Sequence, residues 1–262
     1  MGLQRALPET RVIGDDIPFE QIDTIFFDVG NTLLSMDFDW ISQELAERGV
    51  VAAPQTLRRA EAAARPAVSE GIANRASKET QQTFTLYLGW VLQELEVAGE
   101  LGAERIRDLA GELTPVLRGP GRTARLWSWM LPGVLEALEA MQAGGLRMAV
   151  VSNSDGSVEQ SLVARGLRDY FGAVVDSHFV GHEKPDPRIF EKALEVCGAD
   201  AARTIHVGDL YAADVLGARA AGVHPVLLDP FDDWQGVDCL TLPDIASLGE
   251  HVLGSRHEET KR

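Results

Sequence analysis

TIFFDVGNTLL, residues 24–34, drives Ile25, Phe26 and Phe27 toward a core, then breaks on a carboxylate, Asp28, and on Gly30, which has no side chain. It reads as a buried strand that ends on a polar loop. Four similar runs follow: RMAVV (147–151), AVVDS (173–177), TIHVG (204–208) and HPVLL (224–228). Helical patterns separate them. PGVLEALEAMQAGG spaces Val134, Leu135, Leu138 and Met141 for one helix face and stops at paired glycines. DPRIFEKALEVCG starts on Pro187 and stops at Gly198, and AADVLGARAAG stops at Gly222. Strands alternating with helices of this length predict an α/β core, a doubly wound parallel sheet covered on both faces.

Between the first two strands the sequence predicts only helices, over 37–48, 55–73, 78–97 and 103–117, with Gly49, Gly99 and Gly119 as stops. Pro66 should kink or split the second. The expected organisation is a loosely ordered leader (1–20), a core made of 21–35 and 131–252, an inserted all-helical cap (36–130) and a tail (253–262).

A formal net charge of −16 opposes nucleic acid and anionic membranes as partners, since both need a basic face. No apolar stretch approaches the roughly 18 residues of a membrane span, and the first residues lack the apolar middle of a signal peptide. Cys197 and Cys239 are far apart and form no C-x-x-C pair. A chain of this size without a disulfide framework suits the cytoplasm.

In an open parallel sheet, ligands bind beyond the carboxyl ends of the strands. Asp28 ends the first strand, Ser152 and Asn153 the second, and Asp209 the fourth, with Asp214 five residues on. GHEKPDP puts Lys184 in the loop after the third. Singly, each is ordinary capping or surface chemistry. Their conjunction at successive strand ends points to one polar site.

Four segments, FFDVGNTLL, VVSNSDG, GHEKPDPRIF and IHVGDLYAADVLGARAAG, resemble the signature motifs of the haloacid dehalogenase superfamily, and most of all its phosphatase-like members with a helical cap after the first motif. The resemblance implies a Rossmann-like core and hydrolysis of a small phosphate ester. Asp28 would be the nucleophile, forming an aspartyl-phosphate. Ser152, Asn153 and Lys184 would bind phosphate, with Ser152 and Lys184 also serving catalysis. Several carboxylates around a phosphate dianion call for a hard divalent cation, Mg²⁺. By the resemblance its ligands are Asp28, the Gly30 carbonyl and Asp209, with Asp214 either a ligand or a support behind them.

Gly30 departs from that pattern, because phosphatase members usually have a second aspartate there as general acid and base. Its loss is worth roughly 10²- to 10⁴-fold in rate. One reading is a phosphohydrolase with another proton donor, for which Asp37, Asp39 and His182 are candidates. A second is a catalytically weak or non-hydrolytic binding protein. The third is a metal-independent 2-haloacid dehalogenase, with Arg58 or Arg59 for the substrate carboxylate. Trp40, Phe84, Tyr87, Trp90, Trp127 and Trp129 are available to an apolar substrate pocket or to packing between helices.

Overall fold

A computed structural model describes residues 17–73 and 81–259. Its centre is a six-stranded sheet made of β1 (Thr24–Phe27), β4 (Arg147–Ser152), β5 (Ala173–Asp176), β6 (Thr204–Gly208), β7 (His224–Leu228) and β8 (Leu240–Leu242), in the order β5-β4-β1-β6-β7-β8. Every neighbouring pair is parallel. Successive side chains of a strand face opposite ways, so a sheet covered on both sides needs apolar residues throughout. Thus Ile25 and Phe27 of β1, with Met148 and Val150 of β4, pack on Leu138, Met141, Leu248 and Val252. Phe26, Ala149 and Val151 pack the other way, on Ile189, Phe190 and Ala193 of the helix Pro187–Cys197.

β1 is the middle of the polar edge. Phe27 is level with Val150 of β4 and Val207 of β6, so Asp28, Ser152 and Asp209 leave adjacent strands at nearly one height. The chain runs from β1 outward through β4 to β5 and then crosses to β6 on the other side of β1, so the strand order reverses between β1 and β6, the switch-point geometry that opens a crevice above a parallel sheet.

Four long helices occupy the interval after β1: α1 (Phe38–Glu47), α2 (Pro54–Ala73), α3 (Gln81–Gln93) and α4 (Ala98–Leu117). They bury a core of their own around Leu45, Leu57, Leu88, Leu92, Leu109 and Leu113. The all-helical expectation for this interval needs correcting. Where the chain leaves the sheet and returns to it, β2 (Leu34–Met36) and β3 (Trp127–Met130) pair antiparallel. LSM and WSWM are short and interrupted by a serine, so they show no apolar run, and β8 (LTL) escaped for the same reason.

Pro66 lies inside an unsplit α2. The break falls instead in α4 at Gly102, with φ 73° and ψ 158°, and not at Gly99. Residues 1–16 of the expected leader, and 78–80 of the third expected helix, lie outside the described residues. Ile17 and Phe19, in the last part of that leader, pack against the main core. The last helix runs Ile245–Glu259, through most of the expected tail.

Candidate active site

The buried edge above β1 gathers residues from four places in the chain. Asp28 Oδ1 accepts from the Ser152 hydroxyl at 2.9 Å and from the Lys184 ammonium at 2.7 Å. Lys184 is 4% exposed and also donates to Asp214 Oδ1 at 2.6 Å, so one ammonium ties two carboxylates together. Burial works against its charge, but Asp214 and Asp28 outweigh burial and hold the ammonium protonated well above the ordinary lysine range.

Local chain geometry aims these groups. A π-turn, Tyr211–Leu216, follows β6 and turns the Asp214 side chain back, so that Oδ2 accepts from the Leu210 amide at 2.9 Å. Oδ1 of Asp214 also meets Nε2 of buried His206 at 2.9 Å. Burial lowers the His206 pKa and keeps the ring neutral, so its Nε2–H donates to the carboxylate. Asp214 thereby has both oxygens engaged, and despite burial its carboxyl titrates well below the usual range, chiefly because of Lys184. A Cβ at residue 208 would meet the Asp214 carboxylate carbon at 2.2 Å, so Gly208 is what lets it lie there.

Asn153 is also engaged. Its Nδ2 donates to the Lys184 carbonyl at 2.9 Å and its Oδ1 accepts from the Lys184 amide at 2.7 Å, fixing the backbone that carries the ammonium.

Asp209 lies among a second group, from the helical segment. Asn31 takes a left-handed φ of 49°, as its short amide side chain allows. Asn31 Nδ2 donates to Glu61 at 2.9 Å and to Asp209 Oδ2 at 3.3 Å. Arg65 pairs with Glu61 at 2.8 Å and with Asp209 Oδ2 at 3.3 Å, and the Tyr87 hydroxyl donates to Glu61 at 2.8 Å. The network buries four carboxylates (Asp28, Glu61, Asp209, Asp214) against two cations (Lys184, Arg65). Burial pushes the Asp209 carboxyl well above the usual carboxylate range; Arg65 pulls it down, and Asp214, Glu61 and Asp28 push it further up.

That surplus of two negative charges is the feature a divalent cation would balance. Among the described residues, Asp28 Oδ2 and Asp209 Oδ1 accept from no donor, while the oxygens of Asp214 are taken. Two carboxylates, the Gly30 carbonyl and water suit a hard oxygen-seeking ion. No group of three or more His, Cys, Asp or Glu side chains with metal-site geometry occurs among the described residues.

Gly30 has a φ outside the left-handed region; the left-handed residue of the turn after β1 is Asn31. What Gly30 faces is the indole of Trp127. A Cβ there would meet Trp127 Cζ3 at 3.4 Å, with Asp28 Oδ2 at 3.8 Å. A Cβ at that distance makes ordinary van der Waals contact, so the ring bounds one side of position 30 without closing it. Gly30→Asp is therefore expected to raise alkyl-ester turnover by about 10²-fold, at the lower end of what an acid and base supply. Steady-state kinetics with n-propyl phosphate check this; a folded variant with no gain refutes position 30 as the place of the missing acid.

Of the other proton-donor candidates, Asp37 caps α1 by accepting from the Trp40 amide, and His182 pairs with Asp186 at 3.5 Å. Neither they nor Asp39 line the cavity above Asp28. Arg59 is paired with Asp233 and Arg58 lies 3.8 Å over the Trp129 ring, so neither faces the cavity as the dehalogenase reading needs. Phe84, Tyr87, Trp90 and Trp127 do line it; Trp40 and Trp129 pack elsewhere. Sequence reasoning missed Asn31, Glu61, Arg65 and His206, and it offered Tyr87 for an apolar pocket or for packing, not as a donor to Glu61. For Glu61 and Arg65 the one available signal was a pair of opposite charges four apart on α2, which solvated helices show just as often.

The sequence model of the haloacid dehalogenase-like hydrolases matches residues 22–222, and the chain belongs to that family of hydrolases. It is 31% identical over 220 residues to human haloacid dehalogenase-like hydrolase domain-containing protein 3, covering 80% of this chain and 85% of that one. It is 29% identical to the pyrimidine 5′-nucleotidase YjjG of Escherichia coli K12, over 77% of this chain and 83% of that protein. In fold it is similar to the HAD-hydrolase YfnB of Bacillus subtilis, solved bound to magnesium, with TM-score 0.58, 18% identity, and coverage of 89% of this chain and 99% of the other.

Proposed function

We propose that this hydrolase is a Mg²⁺-dependent phosphohydrolase that passes the phosphoryl group of a small phosphate monoester first to Asp28 and then to water. One observation carries the reading: the Lys184 ammonium and the Ser152 hydroxyl converge on one oxygen of Asp28 and leave the other open to the cavity. A carboxylate so placed is a nucleophile with cationic and hydroxyl donors ready for the oxygens of an incoming phosphate.

In the first step an Asp28 oxygen bonds to phosphorus as the ester P–O bond breaks, and its electron pair leaves on the alcohol oxygen. In the second, water attacks phosphorus, freeing inorganic phosphate and the Asp28 carboxylate. Ser152 and Lys184 turn from Asp28 to the phosphoryl oxygens. Asn153 and Asp214 hold Lys184 in place, from its backbone and from its ammonium. When bound, Mg²⁺ supplies neutralisation of the phosphoryl charge. Asp28, the Gly30 carbonyl and Asp209 would hold it, which the charge surplus and the magnesium-bound relative of the same fold support. We assign residues 36–130 as the cap and 21–35 with 131–252 as the core. Neither Cys197 nor Cys239 is in a disulfide among the described residues, which fits a cytoplasmic setting.

Asp209→Asn is expected to abolish Mg²⁺-dependent turnover and the calorimetric signal of Mg²⁺ binding while the protein stays folded. Removing a carboxylate from a surplus should leave the metal-free form no less stable. Activity that survives EDTA refutes the metal assignment.

The Trp127 ring over Gly30 also favours a second reading, a phosphate-binding protein that turns over weakly. Rapid mixing with p-nitrophenyl phosphate separates the two. A phosphohydrolase without its second-step base shows a burst of about one equivalent of phenolate and then slow turnover; a weakly active binding protein shows slow release with no burst.

A further inference from the structure

We infer that the physiological substrates are phosphate monoesters of phenols or their enol equivalents, rather than of sugars or alkanols. The inference rests on the phosphohydrolase reading and narrows it. Two independent features of the cavity lead to the same chemistry.

The first is its lining. A cavity of about 200 Å³ stands over Asp28, and away from the polar edge its wall is Val68, Ile72, Phe84, Leu86, Trp90 and Trp127. A wall of this kind binds an apolar, flat group by area and by ring contacts. Polar side chains on the wall are mostly bonded within the protein. Tyr87 donates to Glu61, and Asp155 accepts from Thr123 at 2.9 Å, from Ser157 at 2.6 Å and from Arg118 at 3.3 Å. A sugar entering here would bury hydroxyls without matching partners, each unmade bond costing about 1–3 kcal/mol.

The second is proton supply. Among the described residues, position 30 has no side chain and the cavity carboxylate beyond the polar edge, Asp155, is held by Ser157, Thr123 and Arg118, so the departing oxygen carries its electron pair away unprotonated. A phenol has a pKa of about 10, as tyrosine does, and leaves as phenolate. An alkanol is a far weaker acid and leaves badly without a proton donor. The aromatic wall thus favours the same group that needs no acid. The carboxylate–phosphorus bond forms, the aryl oxygen–phosphorus bond breaks, and solvent protonates the phenolate after release.

The test is a comparison of kcat/KM, in Mg²⁺, for phenyl phosphate, n-propyl phosphate, uridine 5′-monophosphate and acetyl phosphate. Acetyl phosphate is small and its leaving group departs without a proton, so it reports on the nucleophile alone. Phenyl phosphate is expected to exceed n-propyl phosphate and uridine 5′-monophosphate by about 10²-fold or more. If either alkyl ester matches or exceeds phenyl phosphate while acetyl phosphate is hydrolysed, the aromatic inference is overturned and the phosphohydrolase reading stands. If none of the four is turned over, both fall. Trp90→Ala should lower kcat/KM for phenyl phosphate about tenfold more than for acetyl phosphate, a loss in the range of one aromatic contact. Equal losses would overturn the assignment of the aromatic wall to the leaving group. Trp90→Leu, which keeps an apolar side chain, makes the same comparison if Trp90→Ala does not fold.

Discussion

Asp28→Asn is expected to lower kcat for acetyl phosphate and aryl phosphates by at least about 10⁴-fold, with little change in stability. A nucleophile that works as one unit with its partners shows losses of that order when it is removed. Asparagine keeps the shape but has no anionic oxygen to bond to phosphorus, so covalent transfer stops. The fold should survive, because Lys184 keeps its 2.6 Å pairing with Asp214 and Ser152 can still donate to an amide oxygen. Removing one carboxylate from four also reduces the local excess of negative charge. Single-turnover kinetics with acid quench would show no phosphoprotein. Retention of even a tenth of the activity would sink the assignment of Asp28 as nucleophile. It would point to direct attack by water on the phosphate instead.

Arg65→Met is expected to destabilise the metal-free protein by about 3–5 kcal/mol, the usual cost of removing one partner from a buried ion pair. Arg65 is 6% exposed and Glu61 is fully buried. Burial opposes the guanidinium charge, and Glu61 and then Asp209 overcome it, holding the group firmly protonated. Methionine fills much the same volume but leaves Glu61 with only Asn31 and Tyr87 as donors. Denaturant titration should show the loss, and the double variant with Glu61→Gln should lose less than the two single losses summed, since they share one interaction. A loss below about 1 kcal/mol would show that water already screens the pair. Calorimetry on the same variant should show tighter Mg²⁺ binding, because Asp209 no longer shares its charge with a guanidinium 3.3 Å away. Weaker binding would mean that Arg65 serves chiefly to hold Asp209 in position.

The α/β core was legible because both of its periods are long and regular. β6 and β7 span the same residues as the runs TIHVG and HPVLL, and the helix Pro187–Cys197 begins at its proline and stops at Gly198, which has φ 57°. The short strands β2, β3 and β8 were not legible, since a polar residue interrupts each (LSM, WSWM, LTL) and leaves no apolar run like the IFF of β1 or the AVV of β5. Within the helical segment, Gly102 breaks α4 while Gly99 sits inside it, because a glycine permits a break without requiring one.

By itself the sequence determined that a parallel sheet presents Asp28, Ser152, Lys184, Asp209 and Asp214 along one edge, because each follows a strand or opens the loop after it and local chemistry sets those ends. Only the tertiary structure decided which of them touch and which are already engaged. Asp214 and Asn153 turn their polar atoms toward Lys184, and Arg65 and Glu61 reach Asp209 and Asn31 from a helix far along the chain. Trp127 lies almost a hundred residues beyond Gly30, yet its ring borders the position of the missing side chain. The physical reason is range. Capping, turns and periodicity act over a few residues and can be read from neighbours, whereas hydrogen bonds and packing join groups by distance in space, and that distance is set only when the whole chain has closed.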